Sequence, residues 1–174
     1  MKRYLLPFFL LGTLVMMVVM AKTGDTLKTA ATPLGILDLE FAYNISKTTT
    51  VINAWAPARS GLDNISMAKV NTYWDFVFLF FYTGLLFIAC KKISATGKGS
   101  FAKAGKFIAK AALVAGFLDI LENTGMLISL NGNLSSTVSL STTVISIIKW
   151  GLAFIAVIYV ITGLLALGYR KIKY

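Results

Sequence analysis

An all-α fold is predicted: an integral membrane four-helix bundle with a partly helical extracytoplasmic cap between its first two helices. Three features of the sequence point to it. Hydrophobic residues fill 57% of the 174 positions and charged residues only 14%, and mean hydropathy is +0.76, too apolar for an ordinary soluble domain of this length. Four apolar runs, over 4–21, 70–90, 107–130 and 144–169, are each of a length that crosses a hydrocarbon core. The one long hydrophilic segment, 22–69, has nearly balanced charge and falls between the first two runs, so the whole chain reads as a single membrane domain with one cap.

The first run, Tyr4 to Ala21, follows the basic pair Lys2 and Arg3. A secretory signal has the same start, but this run is longer than a signal core and no small-x-small cleavage site follows Met20, so a retained helix is expected. Pro7 falls in its first turn, where a missing amide hydrogen does little harm. Within the cap, Thr32-Pro33 reads as a helix start, Thr as N-cap and Pro at the first helical position, leading through Gly35 to Tyr43. Ser46 to Trp55 reads as a second short helix stopped by Ala56-Pro57. Ile36, Leu37, Phe41, Val51, Ile52 and Trp55 would pack the cap onto the helix ends, while Asp38 and Glu40 read as solvated faces.

The second run opens with aromatic residues, Tyr73 and Trp74 serving as interfacial anchors, and Asp75 and Tyr82 share one helical face. Lys91 to Lys106, with Gly and Ser, reads as a flexible basic connection; Gly97-Lys98-Gly99-Ser100 lacks the spacing of a phosphate loop. The third run carries Ala112 and Gly116 on the stripe that continues to Asp119 and Asn123, small residues that let a neighbour approach. Asn131 to Thr143 is uncharged and rich in Ser and Thr, and the fourth run has Lys149 near its start.

A net charge of +10 raises nucleic acid as a partner, but the lysines and arginines cluster beside apolar runs, where they hold helix ends on the cytoplasmic side. Both termini are therefore expected in the cytoplasm. Histidine is absent, and Cys90 is the single cysteine. That removes histidine triads, the common zinc sites and any intrachain disulfide, and no cofactor or metal is indicated.

The candidate site is Asp75, Tyr82, Asp119, Glu122, Asn123 and Lys149. A helix brings Asp119, Glu122 and Asn123 onto one face, and a carboxylate at the centre of a bilayer costs on the order of 3 kcal/mol. At about 1.5 Å per residue, Glu122 lies about 12 Å and Asp119 about 16 Å below the outer end of the third run, with Asp75 and Lys149 each about 8 Å deep. Charges distant in sequence thus converge in the outer half. Three acids against one base leave a net of minus two, so a protonated acid is expected at neutral pH. Lys149 is expected to pair with Glu122 or Asp119, Asn123 to donate to a carboxylate, and Tyr82 or a cap residue to complete the set. The competing expectation is a purely structural cluster that locks helix register, with Lys149 snorkelling to the interface.

Taken in order, Thr32-Pro33-x-Gly35-Ile36 with Glu40, then Trp55, then Asp75-Phe76-x-Phe78 with Tyr82, then Asp119-x-x-Glu122-Asn123, the sequence resembles an uncharacterised family of small bacterial four-helix inner-membrane proteins. The resemblance implies a multi-pass protein of the bacterial inner membrane and adds no activity. The residues favour binding or movement of a small or amphipathic ligand in an outward-facing polar pocket among membrane lipids. An accessory subunit held by membrane protein partners is the alternative, and an enzyme using Asp119 and Glu122 as acid and base a third; adjacent turns of one helix hold those two on the same side of a substrate.

Overall fold

The computed structural model describes residues 4–56 and 63–173, the last four without their side chains. The basic start Met1 to Arg3, the stop at Pro57 and the side chains of Arg170, Lys171 and Lys173 lie outside the described residues. The described chain is helical, with no strand. Four long helices, α1 (Leu5–Gly24), α4 (Asn64–Thr96), α5 (Gly99–Leu130) and α6 (Ser136–Lys173), are joined by a cap holding α2 (Ile36–Glu40) and α3 (Ile45–Trp55).

The long helices overrun the apolar segments that announce them. A helix of 33 residues is about 50 Å long, against a hydrocarbon core of about 30 Å. The lysine-rich stretch expected to be a flexible connection is helical on both sides of Gly97-Lys98: α4 continues to Thr96 and α5 begins at Gly99. Lys and Ala are good helix formers, so the basic residues extend the helices past the apolar core. On the opposite side α5 ends at Leu130 and Gly132, at φ +87°, turns the chain. Asn133 N–H closes back on the Ile128 carbonyl at 3.2 Å. Ser135 then caps α6 by accepting from Val138 N–H at 3.1 Å, which shortens the expected 131–143 connection to five residues.

The cap departs from expectation at its start. Thr32 does not cap a helix; its buried hydroxyl donates to the Leu27 carbonyl at 2.8 Å and accepts from Trp55 Nε1 at 3.2 Å. The helix begins instead after Gly35, whose φ of +64° makes the turn. Asp38 accepts from Leu34 N–H at 2.8 Å, holding that turn. The second cap helix is placed within one residue of expectation, with Asn44 as its N-cap, accepting from Lys47 N–H at 2.9 Å.

Packing is layered. At the cap end, Leu27, Leu39, Val51 and Trp55 bury against Ala68 of α4 and Met126 and Leu130 of α5. At the other end Leu86, Cys90 and Ile93 of α4 pack on Ala109 and Ala112 of α5 and Ala156 and Tyr159 of α6. Gly116 lies against Thr83, Gly105 against Tyr159 and Gly163 against Ile93, each where a side chain would collide. Helix α4 packs against α1, α5 and α6. Two phenylalanines one turn apart join α1 to α4 reciprocally: Phe9 fits at Gly84, and Phe81 at Gly12. Helix α1 has no comparable contact with α6, so the four helices do not close on one another along that side. Between the two apolar layers lies a polar one.

Candidate functional site

The polar layer is built around Lys149. Its Nζ donates to Glu122 Oε1 at 2.8 Å and to Asp119 Oδ1 at 3.1 Å, and forms an ion pair with Glu40 Oε2 at 3.6 Å. Only 5% of Lys149 is exposed and none of Glu122. A lysine near a helix end ordinarily bends to the interface, but α6 starts at Ser136 and not at 144, which puts Lys149 about 20 Å from the helix start, beneath the cap. Its ammonium also stands 5.1 Å from the Trp150 ring centroid.

Each member of the sequence-derived set lies in this layer. Tyr82 OH donates to Asp119 Oδ2 at 2.6 Å, so Asp119 receives a hydroxyl on one oxygen and an ammonium on the other. Asn123 Nδ2 donates to Asp75 Oδ2 at 2.7 Å. Asp119, Glu122 and Asn123 are all buried, while Asp75 is half-buried.

Glu40 was expected on a solvated face and is instead 6% exposed and part of the cluster. Helix α2 ends there, and the cap folds it down onto α6: Trp150 Nε1 donates to Glu40 Oε2 at 3.1 Å, and Thr143 Oγ1 donates to the Glu40 carbonyl at 3.0 Å. Thr48 and Ser139 hydroxyls, 2.7 Å apart, add a second tie between cap and α6. A five-residue helix shows too little periodicity to tell its buried from its exposed face, so Glu40 carried no directional signal.

Beside the cluster lies a cleft of about 280 Å³. Glu40, Asp75, Asp119, Lys149 and Trp150 line its cap end with Phe78 and Tyr82 beside them, and Leu85, Leu86, Phe154 and Val157 its remaining wall, with Thr13 of α1 and Ala153 of α6 also in the lining. Glu122 and Asn123 stand behind this lining. An acid–base pair of Asp119 and Glu122 would therefore present only Asp119 to a molecule in the cleft. Among the described residues no group of Cys, Asp and Glu is arranged to hold a metal ion.

The cluster holds four carboxylates, Glu40, Asp75, Asp119 and Glu122, against one ammonium, one acid more than the expected three. Ion pairing of that kind tolerates burial only when the remaining polar atoms are satisfied. Two are not: Glu122 Oε2 and Asn123 Oδ1 are buried without a hydrogen-bond partner, and both are acceptors.

Three helical segments, Leu5–Leu27, Asn64–Thr96 and Ser136–Tyr169, are long and apolar enough to cross a membrane. Together with the buried ionic layer they suggest a multi-pass helical membrane protein. The chain matches no family model, no curated protein and no solved structure.

Proposed function

We propose that this is a four-span protein of the bacterial inner membrane, both termini cytoplasmic, that binds or moves a small amphipathic molecule through the cleft between α1, α4 and α6. Helix α5, at 32 residues, runs beside α4 and α6 over their length and exposes Leu113, Val114, Phe117, Ile120 and Leu121, a lipid-facing surface on which its acids do not appear. Lys91, Lys92, Lys98, Lys103 and Lys106 gather at the α4–α5 turn, which supports a cytoplasmic position for that end.

The observation that carries the reading is the two-part lining of the cleft, charged at the cap end and apolar below. Pockets for small molecules have this character, mostly apolar walls with a few convergent polar groups. The gap between α1 and α6 supports side access from the lipid. The experiment is native mass spectrometry of the full-length protein released from lipid nanodiscs. A bound molecule retained by the wild type and lost from Ala153→Leu, which narrows the cleft, is expected; identical spectra for the two proteins would remove the reading.

A structural reading keeps one specific support: Lys149 is already matched by three carboxylates, as a register lock requires. The accessory-subunit alternative follows from it, and predicts that Glu122→Gln weakens assembly rather than ligand binding.

A further inference from the structure

We infer that the cap end of the cleft receives a cationic head, a primary amine carried on an alkyl chain. The inference rests on the cleft being a ligand site and adds the chemical class of the ligand.

Charge comes first. Three acids line the cleft, Glu40, Asp75 and Asp119, and the one cation among them, Lys149, is already shared with Glu40, Asp119 and Glu122. Asp75 has no cationic partner among the described residues and is held only by the Asn123 amide. An anionic head would add to this excess of negative charge; an ammonium offsets it.

Hydrogen bonding gives the same sign. Asp75, which lines the cleft, accepts one hydrogen bond, from Asn123 Nδ2 on Oδ2, and its other oxygen is open to a donor from a bound molecule. An ammonium brings three such donors.

The walls supply a third argument. Phe78 and Tyr82 on α4 form one aromatic pair, with ring centroids 5.3 Å apart, and Trp150 and Phe154 on α6 another, 5.4 Å apart. Aromatic faces attract cations, and Lys149 already stands near Trp150 in this way. Below them Ala153, Phe154 and Val157 continue the lining along α6, Val157 seven residues past Trp150, an apolar drop of about 10 Å that suits a short alkyl tail.

The test uses the full-length protein in phosphatidylcholine nanodiscs, with the exposed Trp74 replaced by Phe so that quenchable emission comes from Trp150 in the cleft, the fully buried Trp55 of the cap core being kept as a constant background. Three probes of one chain length, each brominated to quench indole fluorescence, are compared: a primary amine, a carboxylic acid and an alcohol. Saturable quenching by the amine, about tenfold tighter than by the other two, is expected. Asp75→Asn, which removes the uncompensated charge from the lining, should bring the amine down toward the level of the alcohol. Equal or tighter binding of the acid overturns the cationic head and leaves the cleft reading standing. Absence of saturable quenching by all three overturns the cleft reading as well. The three-probe comparison on the protein with native Asp75 decides the matter even where Asp75→Asn folds poorly.

Discussion

The indole N–H of Trp150 donates to Glu40 Oε2 at 3.1 Å, joining residues 110 positions apart. This bond ties the cap to the ion cluster, because the oxygen that accepts it also faces Lys149 at 3.6 Å. The cap is therefore a structural part of the polar layer, and loss of either partner should be felt in both.

Glu40→Ala should release the cap from α6. Hydrogen bonds to charged groups contribute about 1.5–3 kcal/mol each, so hydrogen exchange over 36–55 should rise well beyond that of α4 and α5. Unchanged protection in α2 and α3 would show that Glu40 is not what holds the cap down.

Lys149→Met leaves three carboxylates, Glu40, Asp119 and Glu122, without their cation. Removing one partner of a buried pair costs about 3–5 kcal/mol. Adding Glu122→Gln should recover part of that loss, because the double substitution removes an acid together with the base. Denaturation in mixed micelles gives the coupling; strictly additive losses would mean that the two side chains do not interact.

Gly116→Ala places a methyl group against the Thr83 side chain. Overpacking of this kind costs about 1–3 kcal/mol, and Thr83→Ala in the same protein should restore most of it by opening space on α4. Failure of that rescue, measured by thermal unfolding in detergent, would place the strain elsewhere.

Trp55→Phe keeps an aromatic ring in the cap core but deletes the donor to the Leu27 carbonyl at 2.9 Å. The Leu27 carbonyl keeps the Thr32 hydroxyl, so the loss is that of a hydrogen bond, about 0.5–1.5 kcal/mol. Limited proteolysis between 25 and 35 should accelerate in this variant, since Leu27 and Thr32 lose their shared anchor.

Asp63 caps α4 from outside the spans, and the Ser66 hydroxyl and amide hold its carboxyl below the ordinary value of 3.8. A lowered folded value means that its contribution is complete above pH 3.8 and disappears as pH falls through the folded value. Protection of the Ser66 amide, taken relative to the unstructured exchange rate at each pH, should therefore fall on acidification below that point in the wild type and show no such step in Asp63→Asn.

Much of the architecture was legible because it depends on local composition. An apolar run long enough to span a bilayer declares itself without knowledge of its neighbours, as 4–21, 70–90 and 144–169 do. Helical spacing alone put Asp119, Glu122 and Asn123 on one face, and counted depth put Lys149 and Asp75 near their level. Helix ends were less legible. Lys91 to Lys106 looked like a loop because it is polar, whereas the backbone there remains helical to within two residues of the turn.

Sequence by itself determined that this chain makes long apolar helices and that acids would have to be hidden among them, since both follow from the cost of exposing polar groups to hydrocarbon. Tertiary structure alone decided which acids share Lys149, that Glu40 is one of them, and that a cleft stays open between α1 and α6. Those outcomes depend on the fold of the cap and on side-chain collisions at positions such as Gly12 and Gly84. Such contacts join residues far apart in the chain, and no local periodicity encodes them.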